Sequence, residues 1–333
     1  MSKPTASAIA VVALLVAGLV ALGRGTTERD EGATPTTSTA GATEAALATT
    51  TTTSVPAPVR DRSVYEGLGA WVDVYDYVPV YEKPAEPQLV IPDAVDELAA
   101  RGVRTLFLQA TRLDPRSPEG IVDRARVGEF LKGTRSRGMR VVGWYLPKFA
   151  DVDVDLANLL LIRDFEFDGH RFDGIAVDIE WRQDVPASAE RNRRLVELSD
   201  RLRRAVGADA LGAIVLPPVL TEVVNPSYWP DFAWSELAPY YDVWLPMAYW
   251  TFRPRASGYR DGYRYTAESI RRLRANLGNP SAAVHPIGGI ADVATEEDYR
   301  GFVRAAREKG AVGLSMYDLR TTHDGGWAVL QRP

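Results

Sequence analysis

From Ser63 to the end of the chain, eight short runs of β-branched, aromatic and small residues alternate with amphipathic stretches of helical period. A chain with that rhythm has few ways to fold, because parallel strands need a long crossover between them and helices are the usual crossover. The expected strands are Leu68 to Tyr75, Val103 to Ala110, Arg140 to Leu146, Gly174 to Glu180, Leu211 to Leu216, Asp242 to Tyr249, Ala283 to Gly288 and Val312 to Tyr317. Expected helices include Pro92 to Arg101, Val122 to Arg137, Ala187 to Val206, Ala267 to Asn276 and Thr295 to Lys309, with Gly102, Gly138 and Gly310 placed as helix stops. Eight such units over residues 63–333 are about the size of one (β/α)8 TIM barrel. An open doubly wound sheet is the competing fold. It is disfavoured because no Gly-rich phosphate turn follows the first strand, while polar and aromatic residues gather at several strand ends.

The fourth strand carries the chemistry. Phe172 to Trp181 reads Phe-Asp-Gly-Ile-Ala-Val-Asp-Ile-Glu-Trp, so Ile175, Val177 and Ile179 share one face while Gly174, Ala176, Asp178 and Glu180 share the other. Two carboxylates on one face are costly in a packed core and tolerable at the open mouth of a barrel. Like charge and partial loss of water would both raise the Glu180 pKa toward that of a general acid.

The stretch Asp173 to Glu180 resembles the strand-four signature of glycoside hydrolase family 18, the chitinases and related endo-N-acetylglucosaminidases, written Asp-Gly-x-Asp-x-Asp-x-Glu. Met247-Ala248-Tyr249 is similar to the Met-x-Tyr of that family's sixth strand. The resemblance implies a catalytic acid at Glu180, an acetamido-orienting carboxylate at Asp178, and a Tyr249 that binds the acetamido group. It also implies a substrate-assisted route, in which the acetamido oxygen rather than a protein group attacks the anomeric carbon. Two positions depart from the pattern: Ala176 and Trp250 stand where the family has acids. With no acid behind it at 176, Asp178 is expected to stay ionised, held by another partner. A second Glu at the end of strand seven, as a conventional two-Glu barrel would need, is missing from Pro286-Ile287-Gly288-Gly289-Ile290.

Other strand ends add hydrogen-bonding and aromatic groups suited to sugar rings. Asp73 shares the parity of Trp71 and Tyr75 on strand one, Gln109 ends strand two, Tyr145 ends strand three, and Tyr317 with Asp318 ends strand eight. Together with Trp181, Met247 and Trp250, the residues Asp73, Gln109, Tyr145 and Tyr317 are the expected substrate contacts; Tyr228, Trp229 and Trp234 are further aromatic candidates in loops. His170, His285 and His323 lack metal-ligand spacing and read as surface or supporting residues, so neither a metal nor a cofactor is expected. The absence of cysteine removes thiol chemistry, and a net charge of −5 offers no basic footprint for nucleic acid. Two alternatives stay open. One is a muramidase resembling glycoside hydrolase family 25, through Trp71-Val72-Asp73-Val74 and Asp178-Ile179-Glu180; the other is a catalytically silent barrel that binds cell-wall glycans.

At the N-terminus, Lys3 precedes an uncharged, mostly apolar run from Ala6 to Gly23, followed by Arg24. It reads as a signal peptide ending near Ala21-Leu22-Gly23, or as a membrane anchor. Residues 25–62, rich in Thr, Ala, Ser, Pro and Gly, read as a disordered linker with too little apolar surface to offset chain entropy. The expected layout is therefore an export or anchor segment over 1–24, a linker over 25–62 and one hydrolase-like barrel over 63–333. Such a protein would be extracellular or cell-surface, touch membrane only through its first segment, act on a polysaccharide or cell-wall glycan, and be monomeric.

Overall fold

The computed structural model describes residues 61–81 and 88–331, and residues from Arg60 onward form one compact unit. The expected export segment, and the linker up to residue 60, lie outside the described residues. Among the described residues, no helix is long and apolar enough to cross a membrane.

Eight parallel strands close into a barrel in sequence order: β1 Gly67–Val72, β2 Thr105–Gln109, β3 Arg140–Tyr145, β4 Gly174–Ile179, β5 Leu211–Val215, β6 Val243–Ala248, β7 Ile287–Gly288 and β8 Gly313–Met316. The helices are α1 Val74–Tyr77, α2 Ile91–Ala100, α3 Arg124–Arg135, α4 Val152–Asp164, α5 Ser188–Val206, α6 Trp234–Leu237, α7 Gly262–Asn276, α8 Glu296–Glu308 and α9 Asp324–Leu330, with a π-helical segment over Val219–Val224. Each of the five expected helices is present within a few residues. Helix α4 adds to the helices expected from sequence. Its start is set by Asp151, whose side chain accepts from the N–H groups of Asp153 and Val154.

Strand one stops earlier than its alternation suggests. Asp73 caps α1 in a reciprocal capping box with Asp76, which turns the chain out of the sheet after Val72. Strand seven is the shortest, two residues against an expected six. Pro286 has no N–H to give the ladder, and Val284 pairs with strand six only through an isolated bridge to Trp244.

Register is fixed at the barrel's N-terminal end by two equivalent clamps. Asp173 accepts from the Val141 N–H at 2.9 Å and from Arg135 and Arg140 at 2.8 and 3.2 Å. Asp242 accepts from the Leu211 N–H at 2.9 Å and from Arg203 at 2.6 Å. Below them the Ser63–Tyr65 turn plugs the barrel floor: Tyr65 donates its hydroxyl to the Ile175 carbonyl at 2.7 Å, and Thr105 donates to the Val64 carbonyl at 2.7 Å. Room for the plug comes from missing side chains. A Cβ at Gly212 would come within 2.8 Å of the Tyr65 ring, and one at Gly313 within 2.5 Å of His285 Nδ1. His285 is thus not a surface residue. It is fully buried inside the barrel, bonded to the Tyr65 carbonyl and the Ser315 hydroxyl, and burial lowers its pKa to about 4. Above it, Trp71 stacks on Phe107 with ring centres 4.4 Å apart and donates to Ser315 at 2.8 Å, filling the barrel's middle.

Candidate active site

The layer above Trp71 changes from aromatic to acidic. The register Trp144 on Ala176 and Ala176 on Gly212 keeps Gly174, Ala176 and Asp178 on the inner face of β4, and Glu180 follows one residue past the strand's end. Asp178 is buried, and its Oδ1 has no hydrogen-bond partner among the described residues. Glu180 is half-buried. Loss of water pushes the Glu180 carboxyl up to about 7, and burial together with the Glu180 charge drives Asp178 well above the usual carboxylate range. That direction runs against the expectation that Asp178 stays ionised. Without an acid at 176 its Oδ1 gains no compensating donor, and burial beside Glu180 works against its charged form.

Tyr249, just past β6, faces this pair. Burial raises its phenol far above the ordinary range, and the charges of Glu180, Asp178 and Asp318 add to that rise. Its ring is 6.1 Å from that of Tyr317, whose own ring lies 6.4 Å from Trp71. Tyr317 donates to Asp73 Oδ2 at 2.7 Å, while Asp73 Oδ1 accepts the Tyr75 N–H at 2.7 Å. Gln109 closes the ring from β2, its Oε1 accepting the Val74 N–H at 3.2 Å. Met247, two residues before Tyr249 on the same face, is buried in the wall beneath it. The structure thus brings Asp73, Gln109, Asp178, Glu180, Tyr249 and Tyr317 to one end of the barrel, the end formed by the strands' C-termini. Trp181 sits at its rim, partly exposed, donating to Asp184 at 3.0 Å with the Lys148 ammonium 5.7 Å above its ring.

Two expected contacts are not there. Tyr145 shares the outer face of β3 with Gly143, and its hydroxyl donates to Asp155 of α4 at 2.7 Å, beneath the helix layer. Strand-end position suggested the mouth, but the residue's parity sends it outward. Trp250 is also outside the barrel wall, fully buried with its ring 5.4 Å from Phe302 of α8. It is a packing residue, so the family's acid at that position has no replacement there. Among the loop aromatics, Trp229 and Trp234 serve packing: Trp229 donates to Asn192 at 2.7 Å and Trp234 lies 5.7 Å from Trp244. Tyr228 is the exception, since the Glu180 charge reaches its phenol and Arg182 stacks 3.7 Å above its ring.

A second acidic group adjoins the first. Asp73, Asp76 and Asp318 place carboxylate oxygens within 4.8 Å of one another. Of these, Asp76 escaped the sequence reading; its signal was the Asp-x-x-Asp spacing of a capping box. Three such oxygens could converge on a cation, but each is already engaged. Asp76 pairs with Arg320 at 2.8 Å, Asp73 takes the Tyr317 hydroxyl, and Asp318 accepts from the Thr321 N–H and hydroxyl at 3.0 and 2.9 Å. Burial and the Asp73 charge raise Asp318 to about 6.

A closed (β/α)8 barrel with an acid pair at the end of its fourth strand defines a class of catalytic scaffold. No protein-family model and no curated protein matches the chain. Similarity appears at the level of the fold. An endo-β-1,4-mannanase from Thermotoga petrophila aligns with TM-score 0.58 at 11% identity, over 80% of this chain and 75% of that one. A family GH18 chitinase from Cycas revoluta, solved in complex with allosamidin, aligns with TM-score 0.56 at 13% identity, over 79% and 98%. The spore cortex-lytic enzyme SleL from Bacillus cereus aligns with TM-score 0.55 at 8% identity, over 80% and 73%. What the chain shares with these structures is the (β/α)8 barrel fold.

Proposed function

We propose that this protein is an exported glycoside hydrolase that cleaves a polymer of N-acetylhexosamine units, of chitin or peptidoglycan type, with Glu180 as general acid. The observation that carries the reading is the Asp178–Glu180 pair on the inner face of β4, with Glu180 held near 7 by burial. A carboxyl of that pKa is protonated in time to serve the leaving oxygen and weakly basic enough to release its proton. β7 ends at Gly288 followed by Gly289, which supplies no second carboxylate as nucleophile. The substrate's own acetamido oxygen then does that work.

In this scheme Glu180 gives its proton to the glycosidic oxygen as the bond to the anomeric carbon breaks. The acetamido oxygen bonds to that carbon, and the positive charge spreads over the resulting ring. Asp178 and Tyr249 face that ring, the carboxyl sharing its charge and the phenol holding the acetamido group. Water attacks next, losing a proton to Glu180 and restoring it. Glycan-handling by a chitinase and a cortex-lytic enzyme of the same fold supports the substrate class, and the apolar run near the N-terminus supports export.

The test is initial rate on N-acetylglucosamine oligomers and on peptidoglycan fragments. Glu180→Gln should lower turnover by about 10²- to 10⁴-fold while glycan binding persists. Retained anomeric configuration and inhibition by a thiazoline-type compound would mark the assisted route. Wild-type turnover in Glu180→Gln would remove the assignment, and tight glycan binding with no cleavage by the wild type would leave a silent glycan-binding barrel.

A further inference from the structure

A groove of about 610 Å3 lies between the loops that follow β2 and β3, with α4 as its outer wall. Its borders touch the active site on both sides. On one side Arg112 donates to the Tyr75 hydroxyl at 3.0 Å, and Tyr75 is the residue whose N–H binds Asp73. On the other, Lys148 stands over Trp181, which directly follows Glu180. Leu113 and Leu161 give the groove apolar surface, each more than a third exposed. Asn158 lies in its lining, buried, with an Oδ1 that has no hydrogen-bond partner among the described residues. Gly120 leaves that position clear, since a Cβ there would come within 3.0 Å of the Asn158 oxygen. Apolar patches beside an unsatisfied polar atom, in a space of this size, suit a pyranose ring.

The charges decide what kind of sugar. Asp114 is taken up by Arg116 at 2.9 Å and Arg112 at 3.4 Å. Lys148, half-buried, has no carboxylate partner among the described residues; its ammonium has only the Trp181 ring. Its position is not loose, because the backbone N–H groups of Lys148 and Phe149 both donate to Asp155, at 3.1 and 2.8 Å. Glu119, also without an ion-pair partner among the described residues, is exposed, where water and salt screen it. A half-buried ammonium on an anchored backbone, beside the candidate cleavage site, suits an anion.

We propose that this groove is a glycan subsite continuous with the cleavage site, and that Lys148 makes it select a sugar unit carrying a carboxylate. The proposal rests on the glycosidase reading and narrows it. A lactyl ether on an amino sugar and a uronic acid present the same group, so both belong in the test.

Calorimetric binding to the full chain would compare an oligosaccharide bearing lactyl carboxylates with its carboxyl-reduced counterpart, and a uronate-containing oligomer with its own reduced form. Wild type should favour at least one carboxylated member by about tenfold or more, and the preference should weaken with salt. Lys148→Met, which keeps the apolar stem, should bring that ratio close to one, while Lys148→Arg should retain most of it. The pair that shows the preference identifies the source of the carboxylate. Equal affinity for carboxylated and reduced forms in the wild type would overturn the proposal, as would a ratio that survives in Lys148→Met. Cleavage without carboxylate preference would sink this inference and leave the hydrolase reading standing. Carboxylate-selective binding without cleavage would do the reverse, and failure to bind any of these glycans would remove both.

Discussion

Ala176 lies between two buried polar atoms that lack partners, Asp178 Oδ1 two residues on and the indole nitrogen of Trp144 on its register neighbour. A carboxyl at 176 could satisfy both. Replacing Ala176 by Asp should give Asp178 a donor, let it ionise at lower pH, and move the acid limb of the kcat/KM profile downward without abolishing turnover. A profile that stays put in an active enzyme would show that Asp178 does not depend on that position. The stability effect of Glu180 follows from the direction of its shift. Its folded pKa, about 7, exceeds the ordinary value, so the folded state resists ionisation. Stability from this group is full below about pH 4.5 and is lost as pH rises to about 7. Glu180→Gln should therefore melt with the wild type at pH 4 and a few degrees above it at pH 8, about 1 to 3 kcal/mol after allowance for partial exposure. Equal melting at both pH values would mean that the carboxyl is better hydrated than its surroundings suggest.

Strands and their facing were legible because period-two alternation is a local property, and on β4 it put Asp178 on the inner face, with Glu180 one residue past the strand's end. What alternation could not show is where a strand stops. Asp73 reads as one more inward residue until the capping box with Asp76 turns the chain, and Tyr145 reads as a mouth residue until the partner under α4 is known. The Asp73–Asp76–Asp318 cluster joins residues about 245 positions apart in sequence, a juxtaposition set by barrel closure rather than by local pattern. Helix α4 shows the same limit from the other side. Its buried Asp155 binds the Tyr145 hydroxyl and the two N–H groups of the following loop, so one carboxylate ties β3, the loop and the helix together. Asp155→Ala leaves three buried or half-buried donors without their acceptor and should cost about 2 to 4 kcal/mol. Trypsin should then cut at Lys148 faster than in the wild type, under conditions where the rest of the barrel remains folded. Unchanged cleavage would mean that the loop is held by other contacts.

Across the whole molecule, the two ends of the barrel divide their tasks. The C-terminal end gathers carboxyls that would lower stability when charged together, whereas the N-terminal end is sealed by aromatic packing and satisfied hydrogen bonds. Tyr65 is the centre of that seal. It is fully buried, its hydroxyl bonds the Ile175 carbonyl, its own carbonyl meets His285, and its ring fills the space left by Gly212. Tyr65→Phe removes one hydrogen bond to the Ile175 carbonyl, a loss of about 1 kcal/mol. Tyr65→Ala also opens a cavity and should cost about 3 to 5 kcal/mol, lowering the melting temperature by roughly 6 °C or more. Neither change reaches Asp178, Glu180 or Tyr249, because Trp71, Phe107 and Trp144 fill the barrel between the two layers. Turnover per folded molecule, measured well below the melting transition, should accordingly match the wild type in both variants. A fall in turnover that parallels the fall in stability would show that the floor and the mouth are coupled through that aromatic layer, and the division of tasks would have to be given up.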